Sequence, residues 1–497
     1  MIGALRNWTT GLALALTCGT AQAAPDLSAM TAGELIAFTK AMPKGGELHN
    51  HISAAVFPET LLQWAVEDGF CVDLKALAVR LACPATADYK SAAAAVTDPE
   101  TRVALIDSFS TRHPGFRDRS GHDQFFGSFS RFGAASSKRS GDVLAAVMES
   151  LAAQNTFYIE AMTTPQGAGA YALGLRVGWK GGDLAAQQAA NAAGGLDRLV
   201  AAAIAETDAS EGRAREILKC GTPQAAKGCQ VTVRFLMQTI RVLPPEVTFA
   251  QLQLGVALVA ADRRWVGLQM VAPEDDPASL THYRLHMKMV EALTGRGVKT
   301  PVALHAGELT LKYATPEDLR FHIAEAVRIA GARRIGHGID LPHEDGAEVL
   351  AAEMAAKGVL VEVNLTSNHI ILELSGEQHP YRWLRQRGVP VSLSTYDAGI
   401  LRIDLSGEYA RAVQEQGASY DDLKRSARNA LAFSFLTGEG LWSDPNLYRR
   451  PAKACAGQIG AEVPRPGPCA DLVAGSDKAR EQWRHERALK LFETPPR

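Results

Sequence analysis

Short apolar runs alternate along this chain with longer segments of helical pattern. Eight runs read as strands: Gly46–His51, Thr156–Met162, Val231–Ile240, Trp265–Val271, Val302–His305, Arg334–His337, Val359–Asn364 and Val391–Ser394. Most are followed by a helix-like stretch, and Ala-rich tracts such as Ser91–Val96 and Ala186–Ala193 also read as helical. Strands that alternate with helices predict βα units and a parallel sheet. Eight such units in one α/β chain predict a closed (β/α)8 TIM barrel rather than an open doubly wound sheet. The glycine-rich turn that a dinucleotide-binding sheet carries after its first strand is absent, which weakens that alternative.

Two connections exceed simple βα loops. Roughly a hundred residues separate the first two strands and roughly seventy the next two, far above the usual loop length. They predict helical insertions at about 52–153 and 165–230 within a barrel domain of residues 24–440, and residues 441–497 read as a C-terminal appendage that ends in a charged helix near Asp477–Phe492.

The N-terminus changes the setting. Arg6, the short apolar run Gly11–Cys18 and Ala21-Gln22-Ala23 read as a signal peptide over residues 1–23, cleaved after Ala23. The run is too short to span a bilayer. A lipoprotein acylated at Cys18 is the competing reading, and Leu16-Thr17 before that cysteine fits it poorly. A periplasmic or secreted protein with no membrane attachment after cleavage is expected. Cysteine usage agrees. Beyond Cys18 the cysteines fall into three close pairs, which predict Cys71–Cys83, Cys220–Cys229 and Cys455–Cys469 disulfides in an oxidising compartment. The alternative is that some are free, buried thiols. A formal net charge of −2 without a basic tract argues against nucleic acid as a partner.

Candidate chemistry collects at predicted strand ends, where barrel enzymes place their sites. In Glu47-Leu48-His49-Asn50-His51, the period of two puts His49 and His51 on one side. Leu304-His305-Ala306-Gly307-Glu308 ends the fifth strand, Ile335-Gly336-His337-Gly338 the sixth, and Ser394-Thr395-Tyr396-Asp397 the eighth. Three neutral imidazoles (His49, His51, His305) suit one zinc ion with a position left for water, whose pKa the metal lowers towards neutrality. Glu308 is placed to give a proton to a substrate ring nitrogen. His337 could hold the water or deprotonate it, and Asp397 could bind substrate or ligate the metal. Any one of these alone reads as a hydrogen-bonded rim residue; the set is hard to explain as packing.

These elements occur in the order seen in adenosine deaminases of the amidohydrolase superfamily, and the sequence resembles that family from about Pro43 to Thr437. Phe125-Phe126-Gly127-Ser128-Phe129, Val271-Ala272-Pro273-Glu274-Asp275-Asp276 and Asn364-Leu365-Thr366-Ser367-Asn368 are similar to its secreted, growth-factor-related branch. The resemblance implies hydrolytic deamination of adenosine, and of 2'-deoxyadenosine, at C6 of the purine, giving the inosine product and ammonia, in purine salvage. It implies one zinc per subunit on His49, His51 and His305, with Glu308 protonating N1 and His337 orienting the water. Asp397 and Gly307 would bind a small nucleoside substrate. Secreted relatives tend to dimerise through inserted helices, which implies a homodimer.

The chain departs from the family at its metal site. Tyr396 stands where a zinc-ligating acid is expected, Ala398 replaces a position that is often acidic, and Ala54 replaces a glycine. A phenol with an ordinary pKa near 10 is a poor ligand. Zinc could lower that pKa, Asp397 could take the ligand position, or the metal could bind weakly. Two further readings therefore stand beside adenosine deamination. One is a metal-dependent hydrolase of another purine or amine. The other is a catalytically impaired nucleoside-binding or interaction module. A cytidine-deaminase type of site is disfavoured, since its His-x-Glu and Pro-Cys-x-x-Cys signature is absent.

Overall fold

The computed structural model describes residues 25–112 and 119–494; the predicted signal peptide lies outside them. Eight parallel strands form the body: β1 (Gly45–His51), β2 (Thr156–Thr163), β3 (Thr232–Ile240), β4 (Trp265–Val271), β5 (Ala303–Ala306), β6 (Arg334–His337), β7 (Leu360–Val363) and β8 (Val391–Leu393). β1 to β4 pair in sequence order, as do β5 to β8. Single parallel bridges close both seams, Leu268 with Val302 between β4 and β5, and Asn50 with Tyr396 between β1 and the segment after β8. The second seam is a reciprocal pair: the Tyr396 amide donates to His49 O at 3.0 Å, and the His51 amide donates to Tyr396 O at 3.1 Å. The fold is therefore the (β/α)8 barrel that the alternation of patterns predicts.

All seven residues of β1 are buried. Leu48 packs outward with Tyr158, Leu360 and Leu431, beneath the helix Tyr420–Ala432. Glu47, His49 and His51 alternate with it and turn into the barrel, so the polar residues of this strand fill the interior.

The segment between β1 and β2 is not wholly helical. Besides the helices Pro58–Glu67, Pro99–Ser108, Gly121–Ser136 and Ser140–Ala153, it holds an antiparallel sheet of Cys71–Asp73, Ala78–Arg80 and Tyr89–Ser91. Cys71 is bonded to Cys83 beside that sheet, Cys220 to Cys229 ahead of β3, and Cys455 to Cys469 near the C-terminus. The last helix, Asp477–Glu493, lies across the N-terminal end of the barrel. Its His485 Nε2 meets Pro43 O at 3.2 Å, its Glu481 accepts from Thr232 Oγ1 at 2.6 Å, and its Glu486 takes both arms of Arg428 at 2.7 Å. Among the described residues no helix is long and apolar enough to cross a membrane.

Candidate metal centre and its cleft

At the C-terminal mouth of the barrel, His49 and His51 at the end of β1 meet His305 of β5. His305 Nε2 lies 3.0 Å from His49 Nε2 and 3.3 Å from His51 Nε2. Among the described residues this is the one group of three or more His, Cys, Asp or Glu whose ligand atoms lie within 4.8 Å of one another. The far nitrogens show which form each ring takes. His49 Nδ1 is 2.7 Å from the Glu362 carboxylate, so it carries the hydrogen. His51 Nδ1 is 2.7 Å from Gln238 Oε1 and donates to that carbonyl. Both rings thus turn an Nε2 lone pair to the same point, which is the arrangement of metal-ligating histidines whose other nitrogen is held by a carboxylate or carbonyl. Burial pushes His51 down to about 3 and His305 well below its usual value; His49 adds to both shifts. Neutral imidazoles in a dry pocket are the donor set that zinc takes.

The support extends inward. Burial opposes ionisation of Glu362, but Arg334 and His49 outweigh it and hold the carboxyl below its usual range. Arg334, itself fully buried, reaches Glu362 at 2.6 Å and Glu160 at 2.5 Å. Gly336 leaves room for the ligand: a Cβ there would stand 2.5 Å from His49 Cε1.

Glu308 and His337 lie beside the triad, with Glu308 Oε1 3.4 Å from His337 Nδ1. Burial pushes the Glu308 carboxyl well above its usual range, and the charge of Glu274 pushes the same way. Both effects favour the protonated form of Glu308. Glu274 sets its position by accepting from the Gly307 amide at 3.1 Å and the Glu308 amide at 2.8 Å. Gly307, at φ +74°, also gives its carbonyl to the Ile339 and Asp340 amides, so its backbone groups serve the turn that presents Glu308. His337 has φ +68° and its imidazole is buried, which holds it well below its usual pKa.

Tyr396 sits at φ +67°, its ring centroid 4.9 Å from that of His51, 5.2 Å from His49 and 5.7 Å from His305. Phe125 stacks on it at 5.6 Å. Burial raises the phenol well above 10, with the charges of Glu308 and Asp397 adding, so it is a neutral hydroxyl. Asp397 stands outside the triad of ligand atoms. Its buried Oδ1 has no protein partner, burial raises its carboxyl well above the usual range, and the residue lines the cleft.

The cleft over the site encloses about 400 Å³. Its wall is aromatic and aliphatic (Phe125, Phe126, Phe129, Val271, Pro273), with Asp276 and Asp397 as its acids and, among the described residues, no Lys or Arg in its lining. The residues quoted from the sequence thus converge, while Glu362, Gln238, Arg334, Asn368 and His379 were not foreseen. For Glu362 the signal was present: it interrupts the otherwise apolar strand Leu360–Val363, where a polar side chain needs a partner.

Comparison with known proteins gives the relatives. A family model described as adenosine deaminase matches residues 138–440. An adenosine deaminase of Shewanella loihica is 31% identical over 183 residues, 36% of this chain and 50% of that protein. One from Escherichia coli is 33% identical over 141 residues, 28% of this chain and 38% of that protein. The match thus spans half or less of these curated relatives. In structure, a zinc-bound amidohydrolase from Burkhoderia ambifaria shares the fold at TM-score 0.51 and 18% identity, covering 82% of this chain and 89% of that one. Arabidopsis ADAL, solved with IMP, does so at TM-score 0.50 and 19% identity over 80% and 93%.

Proposed function

The chain belongs to the adenosine deaminase family, and from that premise we propose that it is a zinc-dependent hydrolase that converts adenosine to inosine and ammonia. The observation that carries this reading is three imidazoles converging on one point, with the carboxyl of Glu308 against His337 beside them. His49, His51 and His305 would hold the ion. Zinc held there would supply a water acidified towards neutral pH as the nucleophile. Glu308 holds its proton at the mouth of the site and gives it to purine N1, which makes C6 more electrophilic. His337 orients the water. Asp397 faces the cleft as a hydrogen-bonding carboxyl for the substrate, and the aromatic wall excludes bulk water. Among the described residues the lining holds no Lys or Arg to pair with a phosphate, which favours a nucleoside or base over a nucleotide.

Tyr396 favours a second reading, a purine or amine other than adenosine. Its phenol occupies a face of the site where the family has an acid, and it carries no charge there. The three disulfides support export to the periplasm or the medium. Ammonia release from a panel of adenosine, 2'-deoxyadenosine, AMP, adenine and N6-substituted adenosines separates the readings. Turnover of the nucleosides with none of AMP supports the first. Turnover confined to another member supports the second, and no turnover by zinc-loaded protein overturns both.

A further inference from the structure

His337 can either orient the water or take its proton, and the choice turns on which ring nitrogen carries hydrogen. A chain of hydrogen bonds behind the ring answers it. The chain starts at the backbone amide of Tyr381, which can only donate, and which lies 3.1 Å from His379 Nδ1. That nitrogen must accept, so the hydrogen of a neutral His379 is on Nε2. His379 is buried, and burial holds it down to about 3, so the ring is neutral. Its Nε2 lies 3.1 Å from Asn368 Oδ1 and donates to it. The other end of the same amide, Asn368 Nδ2, must then be the donor that stands 2.9 Å from His337 Nδ1. Asn364 Nδ2 approaches the same nitrogen at 3.5 Å. His337 Nδ1 is thereby an acceptor, and the ring's single hydrogen is on Nε2, a buried atom with no partner in the protein.

We propose that His379 is a positioning residue of this site: acting through Asn368, it fixes His337 as the tautomer with hydrogen on Nε2. In that form His337 donates a hydrogen bond to the oxygen of the attacking water and has no lone pair on that nitrogen to accept a proton. The assignment of the acceptor rests on the deaminase reading, whereas the tautomer does not. Three buried side chains from three separate segments, β6, the helix Leu365–Leu372 and the loop before the helix Tyr381–Gln386, are needed for this one proton position.

The test is nitrogen NMR of the full chain carrying 15N-histidine, with zinc and after its removal, alongside ammonia release. The wild type should show His337 with its hydrogen on Nε2 in both states. His379→Phe keeps the ring volume and removes both hydrogen bonds; the His337 signal should become a mixture of tautomers and kcat should fall about tenfold with KM nearly unchanged. His379→Gln can accept from Tyr381 and donate to Asn368, and should restore both the signal and the rate. Asn368→Asp, nearly isosteric, presents an acceptor to His337 and should move the hydrogen to Nδ1, which gives an independent answer if His379→Phe does not fold. A wild-type His337 with its hydrogen on Nδ1, or a tautomer that survives both substitutions, overturns the proposal. Protein that turns over no purine but shows these tautomer shifts refutes the deaminase reading alone.

Discussion

At the scale of single residues, two environments decide the chemistry. Glu308 is buried beside the carboxylate of Glu274 and keeps its proton, whereas Glu362 is equally buried and loses its proton to the pull of Arg334 and His49. Glu308→Gln keeps the shape and loses the acid; ammonia release should fall by about 100-fold or more while bound zinc, read by atomic absorption, stays the same. Loss of the metal with the rate would make Glu308 a structural support instead. Tyr396 makes the opposite kind of statement, since its neutral phenol fills a face that a carboxylate could use. Tyr396→Asp should raise zinc affinity about tenfold in a chelator competition, by adding a fourth hard ligand. A fall in affinity would mean that the phenol already supports the metal. His49-Asn50-His51, His305 and Glu308, and His337 between two glycines were legible from residue types at strand ends. Glu362, Gln238 and His379 were not, because each serves a residue that is distant in sequence and only the fold supplies the pairing.

At the scale of elements, all eight barrel strands were legible, most of them as apolar runs, and their ends shift by only a residue or two: Val302–His305 was expected and Ala303–Ala306 is found. Fully buried strands leave long apolar stretches that pattern reading detects well. The small sheet before β2 was missed because three-residue strands are too short to show an alternation. The helix Gly121–Ser136 was expected in an insertion, and the structure gives it a function. Phe125, fully buried on it, stacks on Tyr396, and Phe126 and Phe129 join it in lining the cleft. His122 in its first turn reaches Asp275 after β4 at 3.1 Å and ties the helix over the barrel mouth. Phe125→Ala should lower stability by about 3–5 kcal/mol in denaturant titration and raise KM, since it opens a cavity behind the wall of the cleft. A loss below about 1 kcal/mol would show that the helix does not bear on the core there.

At the scale of the whole molecule, the barrel is finished at both ends by material that is not barrel. The insertion helix covers the mouth, and the helix Asp477–Glu493 covers the opposite end. That last helix is charged in composition, yet Trp483, His485, Glu486 and Leu489 are buried: His485 meets Pro43 at the barrel, while Trp483 packs with Leu441, Cys455 and Cys469 of the C-terminal segment. Two amines at this end, Lys44 buried and Lys478 half-buried, give the molecule a pH signature. Burial lowers Lys44, just before β1, to about 7 and Lys478 to about 8. Between those values and the ordinary lysine range near 10.4, the unfolded chain binds protons that the folded one does not, so stability rises with pH. The free energy of unfolding should rise from pH 8 to 9.5, by up to about 1.4 kcal/mol per pH unit for each lysine, and the melting temperature with it; Lys44→Met should reduce the slope. A flat profile identical in the variant would contradict this.

The proposed reaction requires His49, His51 and His305 to hold one ion between them. The direct measurement is zinc content and ammonia release from adenosine on the same samples of wild type and His305→Ala. The wild type should carry one zinc per chain and release ammonia, and the variant should lose both together. Turnover that persists in the variant without metal, or a wild type that binds no zinc at neutral pH, would contradict it.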